Sequence, residues 1–437
     1  MTATSAHTIT ATSRQARAMR TAIMSECCGI LAWQVFTNGV MLVYLTAIGL
    51  SSTRVVLYLS LWSLTNAAVR LPVAYAADRF GKKRLGVLGA VTTFLAFALL
   101  TAGPLLPPGL NEPAVALAIA TFGVGMSMYG SGWFALLSAI VPESLRGRFF
   151  GRLRTSWQLV GLVFTGLCII LLEEDSPLWA YQVVLGLATV GLALRVPFYL
   201  RLPELERGPS NPIDVASFVR VLLEVLRTDR YLPFCAYVFL LHLFTMGCPY
   251  LFGLVQKQTL GFGDDVVVSM GLVMMIGSLA GFALGGKAVD RWGTRPIFVM
   301  CHFGFGVILL AFLCRGLFPG PVVVAVAGAQ FLFGLVQAAS SIALTTEMLA
   351  LIPPENKALS TSVCMLMWMG GAGLSGIVAA AILDLGVLRQ HWELWGTPLG
   401  PYDAILLAYG AMVVLLVVTL GLVPSVIGKA QWIPQSR

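Results

Sequence analysis

The chain has 437 residues, of which 58% are hydrophobic and only 11% are charged, and its mean hydropathy is +0.85. Soluble domains carry about 25% charged residues, so no soluble fold could bury this much apolar surface. The bilayer must therefore be the solvent of this chain. The net charge of +8 does not indicate nucleic-acid binding, because the topology described below explains it.

The sequence lacks the signatures of several other classes. Its eight cysteines lie mostly in apolar runs, with no metal-type spacing and no disulfide framework. There is no phosphate-binding loop of the Gly-x-x-x-x-Gly-Lys-Ser/Thr type, and no loop long enough for a catalytic domain. We therefore expect no enzyme, no cofactor, no resident metal and no nucleic-acid partner.

Long, continuous apolar runs dominate the chain. They do not alternate, so they predict helices rather than the strands of a closed barrel. Each approaches the roughly 20 residues that cross a bilayer. The predicted spans, numbered 1 to 12, are residues 26–50, 55–77, 85–106, 114–140, 155–172, 177–200, 232–256, 266–289, 296–316, 321–352, 361–386 and 403–427.

The segments outside the spans suggest how the chain is organised. Residues 1–20 form a Ser/Thr-rich tail, and the apolar run that follows is too long for a signal peptide. Residues 201–230 form a polar linker, in which Asn211 and Pro212 predict the start of an amphipathic helix at the membrane surface. The predicted divisions are a tail (1–20), a six-helix bundle (21–200), the linker (201–230), a second bundle (231–427) and a tail (428–437).

The basic residues predict the orientation. In this layout only four of the 28 Lys and Arg residues lie in loops on one side, namely Arg54, Lys257, Arg315 and Arg389, whereas Arg70 lies within a span. This asymmetry is the positive-inside signature and places both termini in the cytoplasm. We expect an integral multi-pass protein of a bacterial cytoplasmic (inner) membrane or of a membrane derived from it.

A short motif occurs twice. Asp78-Arg79-Phe80-Gly81-Lys82-Lys83 follows span 2, and Asp290-Arg291-Trp292-Gly293-Thr294-Arg295 follows span 8, 212 residues later. Pro142-Glu143 and Pro354-Glu355 repeat with the same offset. Such duplication predicts an all-α membrane protein with twelve transmembrane helices in two pseudo-symmetric six-helix bundles, the architecture of secondary transporters.

These residues resemble the major facilitator superfamily, whose loop between spans 2 and 3 reads Gly-x-x-x-Asp-Arg-x-Gly-Arg/Lys-Lys/Arg. The first copy has Ala74 at the first Gly position, and the second copy runs from Gly286 to Arg295. The resemblance covers the whole twelve-span layout. It implies a transporter that works by alternating access, but it does not indicate the substrate.

The motif predicts a cytoplasmic gate. Asp78 can offset the positive pole of a neighbouring helix, and Gly81 permits the tight turn. Arg79 and Lys82 can pair with carboxylates such as Glu143. The corresponding gate residues of the second copy are Gly286, Asp290, Arg291, Gly293 and Arg295.

Two features depart from common branches of the superfamily. Proton-driven members often have an Arg within span 4, and drug antiporters often have a Gly-Pro pair in span 5. Neither occurs here. A typical multidrug/proton antiporter is therefore disfavoured.

Charged residues within spans are costly and require a reason. Arg70 either faces the cavity and binds an anionic group or a carboxylate partner, or it reaches the cytoplasmic surface or forms a structural pair. Glu347 of span 10 is either a proton carrier or part of an inner-gate ion pair. Glu26 is a second proton-coupling candidate, although it is near the start of span 1.

Polar and aromatic groups within the spans mark the candidate substrate cavity, which in the superfamily is lined by spans 1, 4, 7 and 10. Each of these groups has an alternative role in helix packing. Gly370-Gly371-Ala372-Gly373 in span 11 predicts close helix contact. The cavity candidates, besides Arg70, are Gln34, Asn38, Tyr129, Trp133, Gln158, His242, Gln337, Ser341 and Thr345.

The sequence therefore predicts a secondary active or facilitative transporter that moves a small solute by alternating access. It leaves the substrate open between an organic anion, a metal ion or chelate, and a hydrophobic efflux substrate. The alternative is a non-transporting membrane receptor or assembly factor on the same fold. Expected partners are the lipid bilayer, a small-molecule or ion substrate and a coupling proton, and we expect a monomer.

Overall fold

The computed structural model describes residues 13–107, 109–141, 146–174, 176–203, 214–228, 230–351 and 357–421. Nearly all of them are helical. The spans are Ser13–Thr37 with Val40–Ala47 (span 1), Ser52–Ala68 with Arg70–Phe80 (2), Lys82–Ala102 (3), Asn111–Ile140 (4), Arg146–Leu171 (5), Leu178–Leu200 (6), Tyr231–Thr245 with Cys248–Leu254 and the π-helix Val255–Thr259 (7), Asp264–Trp292 (8), Thr294–Leu313 (9), Val322–Leu351 (10), Lys357–Asp384 (11) and Pro401–Leu416 with the π-helix Val417–Gly421 (12).

Ten helices in the described ranges are long and apolar enough to cross a membrane, and the bent pair of span 1 raises this number to eleven. Span 2 is the twelfth, and a break at Val69 divides it into two shorter helices. The predicted fold class, twelve helices in two six-helix bundles, is therefore confirmed. Helical structure begins at Ser13, within the stretch that the sequence assigned to the tail.

Three spans are interrupted, and each interruption has a local cause. Span 1 bends by 56° where Gly39 adopts a φ of 82°, a left-handed conformation that favours glycine. Span 2 breaks just before Pro72, which lacks the N–H that would bond Ala68. Span 7 breaks at Met246–Gly247, ahead of Pro249. Spans 1 and 7, the first of each bundle, are thus both discontinuous.

The bundles meet along two pairs of spans, 2 with 11 and 5 with 8. Glycines permit the closest approach. Between the bundles, a Cβ at Gly373 would lie 2.7 Å from the backbone nitrogen of Leu64 in span 2. Within the second bundle, one at Gly371 would lie 2.4 Å from the carbonyl oxygen of Phe239 in span 7. The predicted close contact of the span 11 glycines is therefore confirmed.

The linker contains one helix, Val215–Leu226. Asp214 caps it by accepting a hydrogen bond of 3.1 Å from the Ser217 amide. Hydrogen bonds from the side chain and then from the amide of Ser217 hold the pKa of the Asp214 carboxyl below its usual range. The predicted cap residues Asn211 and Pro212 lie outside the described residues. Phe218 packs edge-on against Tyr75 of span 2 at 5.4 Å, so the predicted apolar face lies against the bundle.

We call the end of the molecule that carries Asp78 and Asp290 the basic end, and the opposite end the far end. At the far end a short antiparallel hairpin, Trp392–Leu394 with Thr397–Leu399, joins spans 11 and 12. A fully buried ion pair of 2.7 Å between Arg315 and Asp403 holds this corner together.

Candidate functional site

The break in span 1 places two amide side chains between the bundles. The Nδ2 of Asn38 donates to the Oγ1 of Thr165 in span 5 at 2.7 Å. The Nε2 of Gln34 lies 2.8 Å from the Sδ of Met275 in span 8. Both amides are buried, so this cluster joins one bundle to the other at mid-span.

Gln158 lies on the same side of span 5 as this cluster. It is one turn from Arg154, whose guanidinium stacks 4.7 Å over the ring of Phe282 in span 8. One turn further on, Gly161 leaves room for Gln34, because a Cβ there would lie 2.1 Å from the Gln34 nitrogen. The structure thus brings Gln34, Asn38 and Gln158 towards one region.

The second bundle has a related arrangement. The Nε2 of Gln337 in span 10 lies 3.7 Å from the Sδ of Met246, at the break in span 7. One turn before Met246, His242 packs 4.2 Å from the ring of Trp368, and its Nδ1 lies 2.7 Å from the Val238 carbonyl oxygen. Each half thus places a glutamine beside a methionine thioether near an interrupted first span.

The remaining span 10 candidates divide between two faces. Ser341 and Thr345 follow Gln337 on one face, and their hydroxyls donate to carbonyls of their own helix at 2.8 and 2.7 Å. Glu347 lies two turns from Ser340, whose hydroxyl is 2.7 Å from His302 of span 9. Glu347 therefore lies on the face towards span 9, and not in the sector of Gln337.

Three candidates that the sequence treated separately form one cluster inside the first bundle. Oε1 of Glu26 accepts a 2.7 Å hydrogen bond from Tyr129 and lies 3.3 Å from Nη2 of Arg195. The Arg195 guanidinium lies 3.4 Å over the Tyr129 ring, which stacks on Trp133 at 5.5 Å. Glu26 is therefore buried, 8% exposed, and not interfacial.

Sequence reasoning missed Arg195, because it placed this residue at the basic end of span 6. The side chain is only 2% exposed, and Gly29 makes room for it, since a Cβ there would lie 2.5 Å from the guanidinium carbon. The available signal was an arginine five residues inside an apolar run that contains no other charge.

Arg70 begins the second segment of span 2. Its Nη1 lies 3.5 Å from the Ser127 carbonyl oxygen of span 4, and its Nε is buried without a hydrogen-bond partner. The described part of the chain places no carboxylate within ion-pair distance of it.

The repeated motif forms matching turns at the basic end. Gly81 and Gly293 have φ values of 100° and 84°, and each directly connects two spans. Arg79 and Arg291 lie over the neighbouring rings of Phe80 and Trp292, at 5.5 and 6.0 Å. Asp78 is half-buried close to Lys82, whereas Asp290 is exposed.

The predicted gate also includes Gly286, Glu143 and Arg295. Gly286 lies against open space, and the close approach to span 10 is made by the preceding Gly285, where a Cβ would lie 2.8 Å from Ala339. Glu143 lies outside the described residues, so its pairing with Arg79 or Lys82 stays a prediction. Arg295 lies in the first turn of the helix of span 9, which begins at Thr294.

The far end is closed by contacts between the bundles. Tyr181 of span 6 donates to the Asp264 carboxylate of span 8, which also pairs with Lys257 at 2.7 Å. Ser52 of span 2 donates to Gln258 of span 7 at 2.8 Å. We call these five residues the far-end latch.

Comparison with known proteins identifies the family. The model of the Major Facilitator Superfamily matches residues 23–376. The riboflavin transporter RfnT of Brucella anthropi is 26% identical over 295 residues, covering 58% of this chain and 69% of that protein. This favours transport over a non-transporting receptor.

Solved structures show the same fold. A POT family transporter in complex with a thioalcohol-conjugated peptide matches with a TM-score of 0.71 and 14% identity, over 92% of this chain and 95% of that one. The xylose transporter XylE from E. coli, in a partially occluded inward-open conformation, matches with a TM-score of 0.68 and 12% identity, over 93% and 97%. The chain belongs to the major facilitator superfamily and is an integral multi-pass membrane transporter that moves a small solute by alternating access.

Proposed function

We propose that the solute binds at mid-span between the bundles, where Gln34, Asn38 and Gln337 present amide groups. The observation that carries this proposal is the pair of interrupted first spans. Discontinuous helices free backbone groups at membrane depth, which is tolerated where they line a cavity. The amides of Gln34 and Asn38 also reach both halves, so their contacts must change when the halves rock.

The chemistry of this region favours an organic solute over a metal ion. The described residues contain no group of three or more His, Cys, Asp or Glu side chains that could hold a metal. Amide groups, thioethers and the rings of Trp368 and His242 instead suit a molecule with hydrogen-bonding groups and a flat apolar surface. Riboflavin has both features and is the named solute of a relative, so it is the first compound to test.

Flux measurements in proteoliposomes test this proposal. We expect Gln34→Ala and Gln337→Ala to lower solute flux about fivefold each, because a lost hydrogen bond contributes about 1 kcal/mol, and about 1.4 kcal/mol corresponds to a factor of ten. Gln182→Ala is the matched control, since Gln182 lies in span 6 and contacts Thr101 of its own bundle. Equal flux in all three variants would remove the proposed site.

We also propose how the protein is oriented in the membrane and which parts of it move. The basic end is cytoplasmic, in line with the positive-inside rule, and the membrane is a bacterial inner membrane or one derived from it. The bundles 21–200 and 231–427 then rock about the central site while the linker 201–230 remains on the cytoplasmic surface. Closure of the far-end latch corresponds to a state shut to the outside.

Proton coupling is assigned to Glu26. Its carboxyl is shared between Tyr129 and Arg195, so protonation would weaken the pair with Arg195 and alter the contacts of spans 1, 4 and 6 at once. Glu347 is the second candidate, and the pH dependence of flux in variants of the two residues separates them.

A further inference from the structure

Arg70 is the first residue of the second segment of span 2, Arg70–Phe80, which packs against span 4 of its own bundle and against span 11 of the other bundle. Before the break, span 11 packs against span 2 at Leu64, and span 4 packs against it at Thr65, whose hydroxyl donates to the Ala120 carbonyl oxygen. Arg70 therefore begins a helical segment that contacts both bundles.

The Arg70 guanidinium has few partners among the described residues. It donates one long hydrogen bond of 3.5 Å to the Ser127 carbonyl oxygen, and its buried Nε has no hydrogen-bond partner there. The described ion pairs of Arg54, Arg195 and Arg315 show that this chain elsewhere matches arginines with carboxylates. A cation retained in a membrane protein without such a partner indicates a function.

Beside the Arg70 guanidinium, span 4 provides space at a glycine and a second hydrogen-bond donor. Gly130 faces Nη1, where a Cβ would lie 3.3 Å away, so any larger residue would crowd the guanidinium. The hydroxyl of Ser127, the residue whose carbonyl Arg70 already reaches, is buried and has no hydrogen-bond partner in the described part of the chain. An oxyanion beside Arg70 would satisfy both unpaired donors.

We propose that Arg70 binds an anionic group of the transported solute, a carboxylate or a phosphate, with Ser127 as an additional donor. This inference rests on the proposed function, since it places the anion in the same gap between the bundles. A guanidinium presents parallel donors to an oxyanion, and the ammonium of a lysine does not. The solute would thus carry an anionic group that pairs with Arg70 and polar groups that form hydrogen bonds with the amides of the central site.

Thermal-shift binding to purified protein tests the proposal with pairs of related probes in which one member carries an anionic group: riboflavin and riboflavin 5′-phosphate, benzamide and benzoate, glucose and glucose 6-phosphate. We expect the anionic member of at least one pair to stabilise the protein more, with an affinity reduced at least about tenfold in Arg70→Gln and partly retained in Arg70→Lys. The control Arg54→Gln, at the exposed far end, should bind like the unaltered protein.

The same variants distinguish this inference from the proposed function. If no anion is preferred, or if the preference survives in Arg70→Gln, the inference is wrong, whereas flux that still depends on Gln34 leaves the central site in place. Without ligand, Arg70→Gln should be at least as heat-stable as the unaltered protein, because an unpaired buried charge has been removed. A large loss of stability would instead indicate that Arg70 has a structural role.

Discussion

Tyr129 donates a hydrogen bond of 2.7 Å to the same carboxylate oxygen of Glu26 that Arg195 approaches at 3.3 Å. The three residues come from spans 4, 1 and 6, so one buried carboxylate ties together three helices of the first bundle. The cluster should therefore contribute both to the stability of the transporter and to the proposed coupling of transport to protons.

Removal of Arg195 alone should be costly. Arg195→Met leaves the Glu26 charge buried and uncompensated, and the expected loss is about 3–5 kcal/mol in the free energy of unfolding. The double variant Arg195→Met with Glu26→Gln should recover most of this loss. Thermal denaturation in detergent measures both, and a double variant less stable than the single one would contradict the pairing.

The pH dependence of transport should identify the proton carrier. Glu26→Gln cannot release a proton, so we expect it to flatten the pH profile of flux. Glu347→Gln should leave the profile intact if Glu26 is the carrier, and the reverse result would transfer the role to Glu347. Glu112→Gln, at the far end beside Arg54, serves as the control for a general charge effect.

Asp264→Asn should open the far end. The substitution removes the ion pair with Lys257 and weakens the bond from Tyr181, which joins the bundles. Spin labels on the exposed residues Glu173 and Glu393 should then report a longer distance than in the unaltered protein. If the distance distribution is unchanged, the far-end latch does not hold this state.

The contact between spans 2 and 11 should be sensitive to a single methyl group. Gly373→Ala places a Cβ 2.7 Å from the backbone of Leu64, and we expect flux to fall because the halves can no longer close here. Gly370→Ala is the matched control, since its Cβ would meet only Phe239 at 3.7 Å, an ordinary contact. Similar flux in both variants would argue against a tight contact at Gly373.

Asp78→Asn tests the gate at the basic end. We expect slower turnover with little change in solute affinity, because Asp78 lies at the end of span 2 and away from the mid-span amides. Initial rates and equilibrium binding measure the two quantities separately. Intact flux in this variant would remove Asp78 from the gate.

Much of this protein could be predicted from the sequence alone. Twelve spans follow from local properties, since the length and continuity of an apolar run record what a bilayer requires. The two halves follow from the motif that repeats after 212 residues. The turns at Gly81 and Gly293 are also local, because each needs a backbone conformation that glycine adopts readily.

Only the tertiary structure decided which residues meet. Arg195 joins Glu26 and Tyr129 from a distant span, and no spacing in the sequence encodes that contact. Similarly, Glu347 and Gln337 share span 10, yet they lie on different faces whose neighbours are set by helix packing. Hydropathy records how each segment interacts with lipid, whereas the partners of a buried polar group depend on how the helices are arranged around it.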